Sequence, residues 1–398
     1  MKSMVLDFCK IEEKDGYIVR RCEIRRLEDS IESDYKELWF KFPNTVTSPL
    51  DDDCDSYLLA VIMDAMREKR NILINGSVSK ILLSNLVEYQ GAWNKWLPEV
   101  YTIIDIDVLK VREDTLAFPG AIVAFSGGVD AHFSVWRHSQ NRASFRSQKI
   151  NICSMVHGFD IPLVKRESFN KTKNRAIKTL DDIDIGLISI ETNYREITTV
   201  MWEHAHASAL IATLSNFKKI AGTCIVGSAY HYGDLVIPWG STPILDHLLG
   251  SGEFTVMHDG ATYTRTEKVQ LVSEWKTGRE NLRVCWQSDL YDSNCGECEK
   301  CVRTQLNFLA VGKPIPQCFP QSKSIRTKVQ GVTILHKGVY NEWKDIVEQA
   351  ETHGIQDVWI KDAKVVMAKA VVILQKKDKT FFRKILKEVN RIKRHLKS

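Results

Sequence analysis

Residues 126–130 read Ser-Gly-Gly-Val-Asp. They follow the apolar run Ala121-Ile122-Val123-Ala124-Phe125 and precede a helix-like pattern. Two adjacent glycines between a strand and a helix let the backbone curl and allow a ligand to approach closely. The following helix turns its free N–H groups and positive dipole end toward the loop, a combination that attracts phosphate. Ser126 adds a hydroxyl donor. Asp130 can hold Mg²⁺ beside phosphates or fix the loop by accepting N–H bonds. The stretch carries neither the G-x-x-x-x-G-K-[ST] of an ordinary P-loop nor the G-x-G-x-x-G of a dinucleotide binder. A plain strand-to-helix turn is the bland alternative.

A second constellation is Cys285, Cys295, Cys298 and Cys301, spaced C-x9-C-x2-C-x2-C. Four thiolates can surround one Zn²⁺ tetrahedrally and leave no open position, so such a metal is structural. An iron–sulfur cluster is the alternative for four cysteines, and zinc is preferred because nothing else in the sequence implies redox chemistry. Gly296 suits the turn between ligands. Lys300 and Arg303 can offset the charge of a zinc tetrathiolate. Thr264 with Glu267 three residues on reads as a capping box at a helix start.

Together, the SGGVD loop and the C-terminal C-x9-C-x2-C-x2-C resemble the PP-loop ATP pyrophosphatase superfamily and, within it, the 7-cyano-7-deazaguanine synthase (QueC-like) family, over roughly residues 118–315. The S-G-G-x-D-[ST] loop of that superfamily departs here at Ala131, where a hydroxyl residue is usual. The resemblance implies an adenine nucleotide α-hydrolase-like fold and cleavage of ATP to AMP and pyrophosphate with Mg²⁺. It implies an acceptor oxygen that is adenylated and then displaced by ammonia or an amine, giving an amide or nitrile. Such relatives are associated with bacterial anti-phage defence, and some are thought to modify a deazapurine or attach it to a protein. The acceptor is then a small molecule or a protein terminus.

Carried onto this sequence, the resemblance makes Ser126, Gly127, Gly128, Val129, Asp130, Ala131, His157 and Gly158 the ATP-binding set. Ser126, Asp130, Arg265 and Lys268 become the catalytic candidates, a basic residue after Thr264 neutralising charge as pyrophosphate leaves. Glu191 and Arg195, with Asn193, end a predicted strand and face the substrate side. Gly227, Asp234 and Trp239, with Ser241 and Asp246, fall where the family forms its acceptor pocket, and Trp239 can stack on a flat heterocycle. His204 and His206 sit two apart on a predicted helix and so do not share a face, which disfavours a joint metal site.

The elements that must position these residues are alternating strands and helices from Ala121 onward. The predicted strands are AIVAFS, KINICSMVHG, DIGLISIET, AGTCIVGSA and NLRVCWQ, with a helix through EITTVMWEHAHASALIATLSNF. Apolar strands separated by helices imply an α/β fold, a parallel sheet covered on both faces, whose ligand sits at the carboxyl ends of the strands. Three regions are expected: 1–115, an α+β region that recognises a partner or substrate; 116–320, the ATP-binding region with the zinc site; and 321–398, mostly helical with a basic tail. In the tail, Phe382, Ile385, Leu386, Val389 and Ile392 form one stripe and basic residues the other face. A docked terminal helix is preferred there to contact with nucleic acid.

With 398 residues, 44% hydrophobic and 26% charged, the composition is that of an ordinary globular chain, and a net charge of +5 says little about partners. No apolar run reaches membrane-span length. An acidic N-terminus without an apolar core argues against a secretory signal. The other six cysteines are scattered, which reads as a reduced, cytoplasmic setting. Two further functions compete with the amide-forming ligase. One is sulfur insertion into a purine or tRNA base using Cys153, Cys224 or Cys318. The other is a non-catalytic nucleotide-binding assembly subunit.

Overall fold

The computed structural model of the chain describes residues 2–395 apart from 114, 286 and 288–290, and side chains as far as residue 376. The first half contains β1 (Lys2–Phe8), β2 (Glu12–Lys14), β3 (Tyr17–Glu28), β4 (Ile31–Pro43), α1 (Asp55–Glu68), β5 (Asn71–Ser79), α2 (Lys80–Trp96) and β6 (Ile106–Arg112). Then come β7 (Ala121–Ala124), α3 (Val129–Ser139), β8 (Ile150–His157), α4 (Arg166–Asp181), β9 (Leu187–Thr192), α5 (Tyr194–Ile197), α6 (Trp202–Leu214), β10 (Thr223–Gly227) and β11 (Thr255–Asp259). Helices complete the chain: α7 (Arg265–Ser273), α8 (Lys276–Glu280), α9 (Glu299–Ala310), α10 (Ile325–Gln330), α11 (Lys337–Thr352) and α12 (Val358–His395).

The described strands form one eleven-stranded sheet, ordered β11-β10-β7-β8-β9-β4-β3-β1-β5-β6, with β2 paired to β3. The five strands β11 to β9 are parallel. Strand β4 joins them antiparallel to β9, with Phe40 opposite Thr192 and Lys41 opposite Glu191. The sheet therefore runs without a break across residue 115. One predicted strand changes. NLRVCWQ has no strand in its described residues, and the fifth parallel strand is β11, whose polar residues Thr255, His258 and Asp259 hid it. The predicted helix 196–217 is interrupted at residues 198–201 and begins at Trp202.

Alternation along β7 shows how the core is divided. Ile122 faces one cluster with α1, α2 and α6 side chains, while Ala121, Val123 and Phe125 face another with α3 and α4. A strand buried on both faces reads as a continuous apolar run, which is why this strand was legible. Along β3 the inward positions are Ile18, Arg20, Cys22, Ile24 and Arg26. Both arginines are paired: Arg20 donates to Asn216 and to the Asp53 carbonyl, each at 2.6 Å, and Arg26 to both oxygens of Glu68 at 2.8 and 3.0 Å. The opposite face of this half carries ion pairs such as Arg25–Asp7 and leaves Leu73, Leu109 and Val111 exposed.

A buried ionic network spans the two halves of the chain. Lys218, after α6, pairs with Asp53, with Asp55 at 3.0 Å and with Glu253 at 3.3 Å. Arg112 of β6 pairs with Asp53 at 3.1 Å and Asp55 at 2.6 Å. At the other end, Val302, Leu306 and Ala310 of α9 pack with Trp343, Ile346, Trp359 and Ala363, so α9 to α12 share a core. The α12 backbone extends to His395, but the expected apolar stripe of the tail lies outside the described side chains.

Candidate active site

The glycine loop lies where the strand order reverses. From β7 the chain moves to β8 and β9 on one side, while β10 and β11 lie on the other. Open α/β sheets bind ligands in the crevice at such a point. Gly127 has φ +82°, a conformation that favours glycine. Its carbonyl accepts from Arg283 N at 2.8 Å, and the Ser126 hydroxyl accepts from Gly128 N at 3.3 Å. Gly128 caps α3 without any side-chain bond, so the first N–H groups of the helix stay available. His132 supports the loop from beneath: its Nδ1 lies 2.9 Å from the Gly128 carbonyl, and burial pushes its pKa down to about 4.

Asp130 sits in the first turn of α3, with its side chain about a quarter exposed (26%). Its two oxygens meet Arg265 Nη1 at 2.9 Å and Lys268 Nζ at 3.2 Å. Burial opposes the charge of Asp130, but Lys268 and Arg265 outweigh it and hold the carboxyl below its usual range. Lys268 is fully buried, also donates to the Ser228 hydroxyl at 2.7 Å, and is pulled below the usual ammonium range by desolvation despite Asp130. The capping box of Thr264 and Glu267 forms as expected and starts α7 where Arg265 and Lys268 reach the loop. Ser126, Asp130, Arg265 and Lys268 thus converge, although Asp130 spends its charge on two cations rather than standing free.

A cavity of about 280 Å³ opens beside the loop. Its glycine-loop end holds Ser126, Asp130, Ala131 and Gly227; one wall holds Ser154, Met155, Ile161, Phe169 and Thr172; the opposite wall holds Phe159, Trp202, His206 and Leu210. Among the described residues, the buried Ser154 hydroxyl has no hydrogen-bond partner. Gly227 serves close approach: a Cβ there would lie 2.8 Å from the Asp130 carbonyl oxygen.

Other expected residues fall elsewhere. His157 is fully buried, stacked on Phe169 with ring centroids 4.2 Å apart, and does not line the cavity. Gly158 is a steric requirement, since φ is +104° and a Cβ would lie 2.0 Å from the Thr192 carbonyl oxygen. Glu191 is held by both Arg166 nitrogens at 2.7 and 2.8 Å and lines a separate groove with Lys41. Asn193 ties β4 to the end of β9, accepting from Trp39 N and donating to the Glu37 carbonyl. Arg195 is exposed and lies 4.5 Å over the Trp202 ring. Asp234 accepts from Asn341 at 3.0 Å. Trp239 packs edge-on to His206 and Tyr230 and stands behind the cavity wall. Asp246 is fully buried between Ser241 and His258, each 2.7 Å away.

Sequence reasoning missed Arg283, Ser154, Trp202 and the groups supplied by α11. Arg283 lies two residues before the first clustered cysteine, and proximity to a metal ligand was the one available signal. From α11, Asp345 accepts from Thr266 at 2.6 Å, and Glu342 pairs with Arg303 and lies 3.9 Å from Arg265. Arg303 is therefore spent on Glu342 and Glu299 rather than on thiolates.

The four cysteines meet as the spacing predicted. Their sulfur atoms lie within 4.8 Å of one another, with Cys285–Cys298 at 3.8 Å and Cys295–Cys301 at 3.9 Å. Tetrahedral bonds of ~2.3 Å to one metal require S···S of about 3.8 Å, far beyond a disulfide of ~2.05 Å. The cluster can hold a metal such as zinc. Asn294 knits it to the preceding segment: its side chain accepts from Val284 N and Cys285 N and donates to the Leu282 and Cys318 carbonyls. Gly296 has φ +77°, and a Cβ there would lie 2.9 Å from the Pro320 carbonyl oxygen.

Comparison with family models, with curated proteins and with solved structures returned no match.

Proposed function

We propose that this chain is a QueC-like, AMP-forming C–N ligase. The observation that carries the reading is the glycine loop at the switch point, opening on the cavity with Asp130, Arg265 and Lys268 joined beside it. ATP phosphates would lie on Ser126 to Ala131 and the start of α3. Arg265 and Lys268, poised by Asp130, would offset negative charge as pyrophosphate leaves. Asp130 oxygens keep lone pairs that can share Mg²⁺, which would supply charge neutralisation. The acceptor carboxylate oxygen attacks the α-phosphorus, and ammonia or an amine then displaces AMP. Much of the rate advantage would come from positioning.

Phe159 and Trp202 make the α6 wall suit a flat heterocycle such as a 7-deazapurine. Zinc is the metal proposed for the cysteines, in a structural role that fixes residues 282–285 and 294–301 beside the loop. A protein partner would meet the uncovered sheet face of the first half. Sulfur transfer by the protein is disfavoured: Cys153 and Cys224 are fully buried with thiols pushed well up by desolvation, and burial pushes Cys318 up to about 12.

The test is mass spectrometry of the protein incubated with ATP, Mg²⁺, 7-carboxy-7-deazaguanine and ammonium. AMP with amide or nitrile is expected. ADP as the product, or tight ATP binding without AMP for any carboxylate offered, overturns the ligase reading and leaves a nucleotide-binding subunit.

A further inference from the structure

The two histidines of α6 go to different places. His204 turns into the core, where its Nδ1 lies 2.8 Å from the Tyr101 hydroxyl and its ring packs on Trp93. His206 lines the cavity. Its Nδ1 lies 3.1 Å from the Trp202 carbonyl oxygen. A carbonyl can only accept, so Nδ1 must carry the proton, and a neutral ring then keeps its lone pair on Nε2. The ring also meets the Glu203 carbonyl, and among the described residues no side chain bonds Nε2. The ring is held in place by Trp202 at 6.0 Å and Trp239 at 5.5 Å between centroids. Gly240 leaves room for it, since a Cβ there would lie 2.6 Å from Nδ1.

This arrangement is that of a base whose tautomer is set by its second nitrogen. We propose that His206 is the general base that takes the proton from the attacking amine. The proposal rests on the ligase reading of the cavity. In the step, the amine nitrogen adds to the carbonyl carbon of the adenylated acceptor and the C–N bond forms. The C–O bond to AMP breaks, and its electron pair leaves on the AMP phosphate oxygen. The proton shed by nitrogen moves to Nε2 and passes to solvent as the site opens. The charged groups around the ring are Asp160 after β8 and Asp246, which is shared with Ser241 and with His258 of β11, while Glu203 offers its backbone carbonyl. Their negative charge favours the imidazolium once formed. Burial outweighs them in the resting protein and keeps the ring neutral, which is the form a base requires.

The experiment separates the two half-reactions in His206→Gln and His206→Asn. Acceptor-dependent exchange of labelled pyrophosphate into ATP reads adenylation; amide formation reads the amine step. The expected result is exchange within about threefold of the parent, with amide formation slowed on the order of 10²–10⁴-fold. In the unmodified protein, the amide rate should fall at low pH along a single ionisation below that of free histidine, a bend that pyrophosphate exchange does not share. That measurement needs no variant and so does not depend on folding. Amide formation at the parental rate, a raised KM with unchanged kcat, or equal loss of both half-reactions would overturn the assignment. Absence of exchange in the unmodified protein would instead overturn the ligase reading, and this proposal with it.

Discussion

Asp130 joins two roles in one carboxylate: it follows the glycine loop and it neutralises Lys268, which has almost no contact with solvent. Asp130→Ala therefore removes more than a metal contact. Leaving a buried ammonium unpaired costs about 3 kcal/mol or more, so the alanine variant should show a lowered urea midpoint as well as no AMP. Asp130→Asn keeps the shape and should retain more of the stability while still losing turnover. Equal midpoints for parent and Asp130→Ala would show that the pair carries no stability. His132 gives a pH prediction at the same scale. Its folded pKa of about 4 lies below the ordinary value, so the unfolded chain binds the proton more readily. Its contribution is complete above pH ~6.5 and is lost as pH falls toward 4, by about 3 kcal/mol in all. Protonation would also disturb the loop that His132 supports. His132→Gln should flatten the slope of stability against pH between 4 and 6.5, as measured by urea unfolding. The Ser-Gly-Gly-Val-Asp loop and the four cysteines were legible because each is a local run of residue types with one geometric use. His206 and Arg283 were not, because what each side chain faces depends on elements far away in sequence.

At the scale of elements, two features hold the site together. The end of β10 touches the start of α3 through Gly227. Gly227→Ala should push Asp130 off its two partners, costing about 1–3 kcal/mol and more than tenfold in AMP formation. Activity close to that of the parent would show that α3 can retreat without cost. The cysteine cluster holds Cys298 at the cap of α9 and, through Asn294, the segment bearing Arg283. Metal analysis should find about one zinc per chain. Stripping it with a chelator should lower the melting temperature and weaken ATP binding together. A stripped protein with unchanged melting and ATP affinity would refute the structural role. Among strands, β7, β8, β9 and β10 were readable as apolar runs. β11 was not, since an outer strand of the sheet carries Thr255 and His258 at exposed or half-buried positions.

At the scale of the molecule, the first hundred residues are built into the same sheet as the glycine loop and are wired to it by buried charge. Lys218→Met would leave Asp53, Asp55 and Glu253 facing one another, with Arg112 beside them and Lys219 at 4.0 Å from Glu253. The expected loss is about 3–5 kcal/mol, read as a shift in the urea midpoint with a single transition for both halves. Two separate transitions, or no shift, would show that the halves do not depend on this network. The C-terminal helices are tied in as well, since Glu342 and Asp345 of α11 reach the first turn of α7. Residues outside the span of the family resemblance thus brace the site.

By itself the sequence determined an alternating strand–helix pattern, a glycine loop between strand and helix and a four-cysteine cluster, because these follow from backbone freedom and from the period of apolar residues. Only the tertiary structure decided that Asp130 is shared by Arg265 and Lys268, that His157 and Glu191 stand away from the cavity beside the glycine loop, and that His206 lines it. Those outcomes turn on which strand edges pair and which helix faces pack. Such choices are settled by the burial of the whole chain, and no local stretch encodes them.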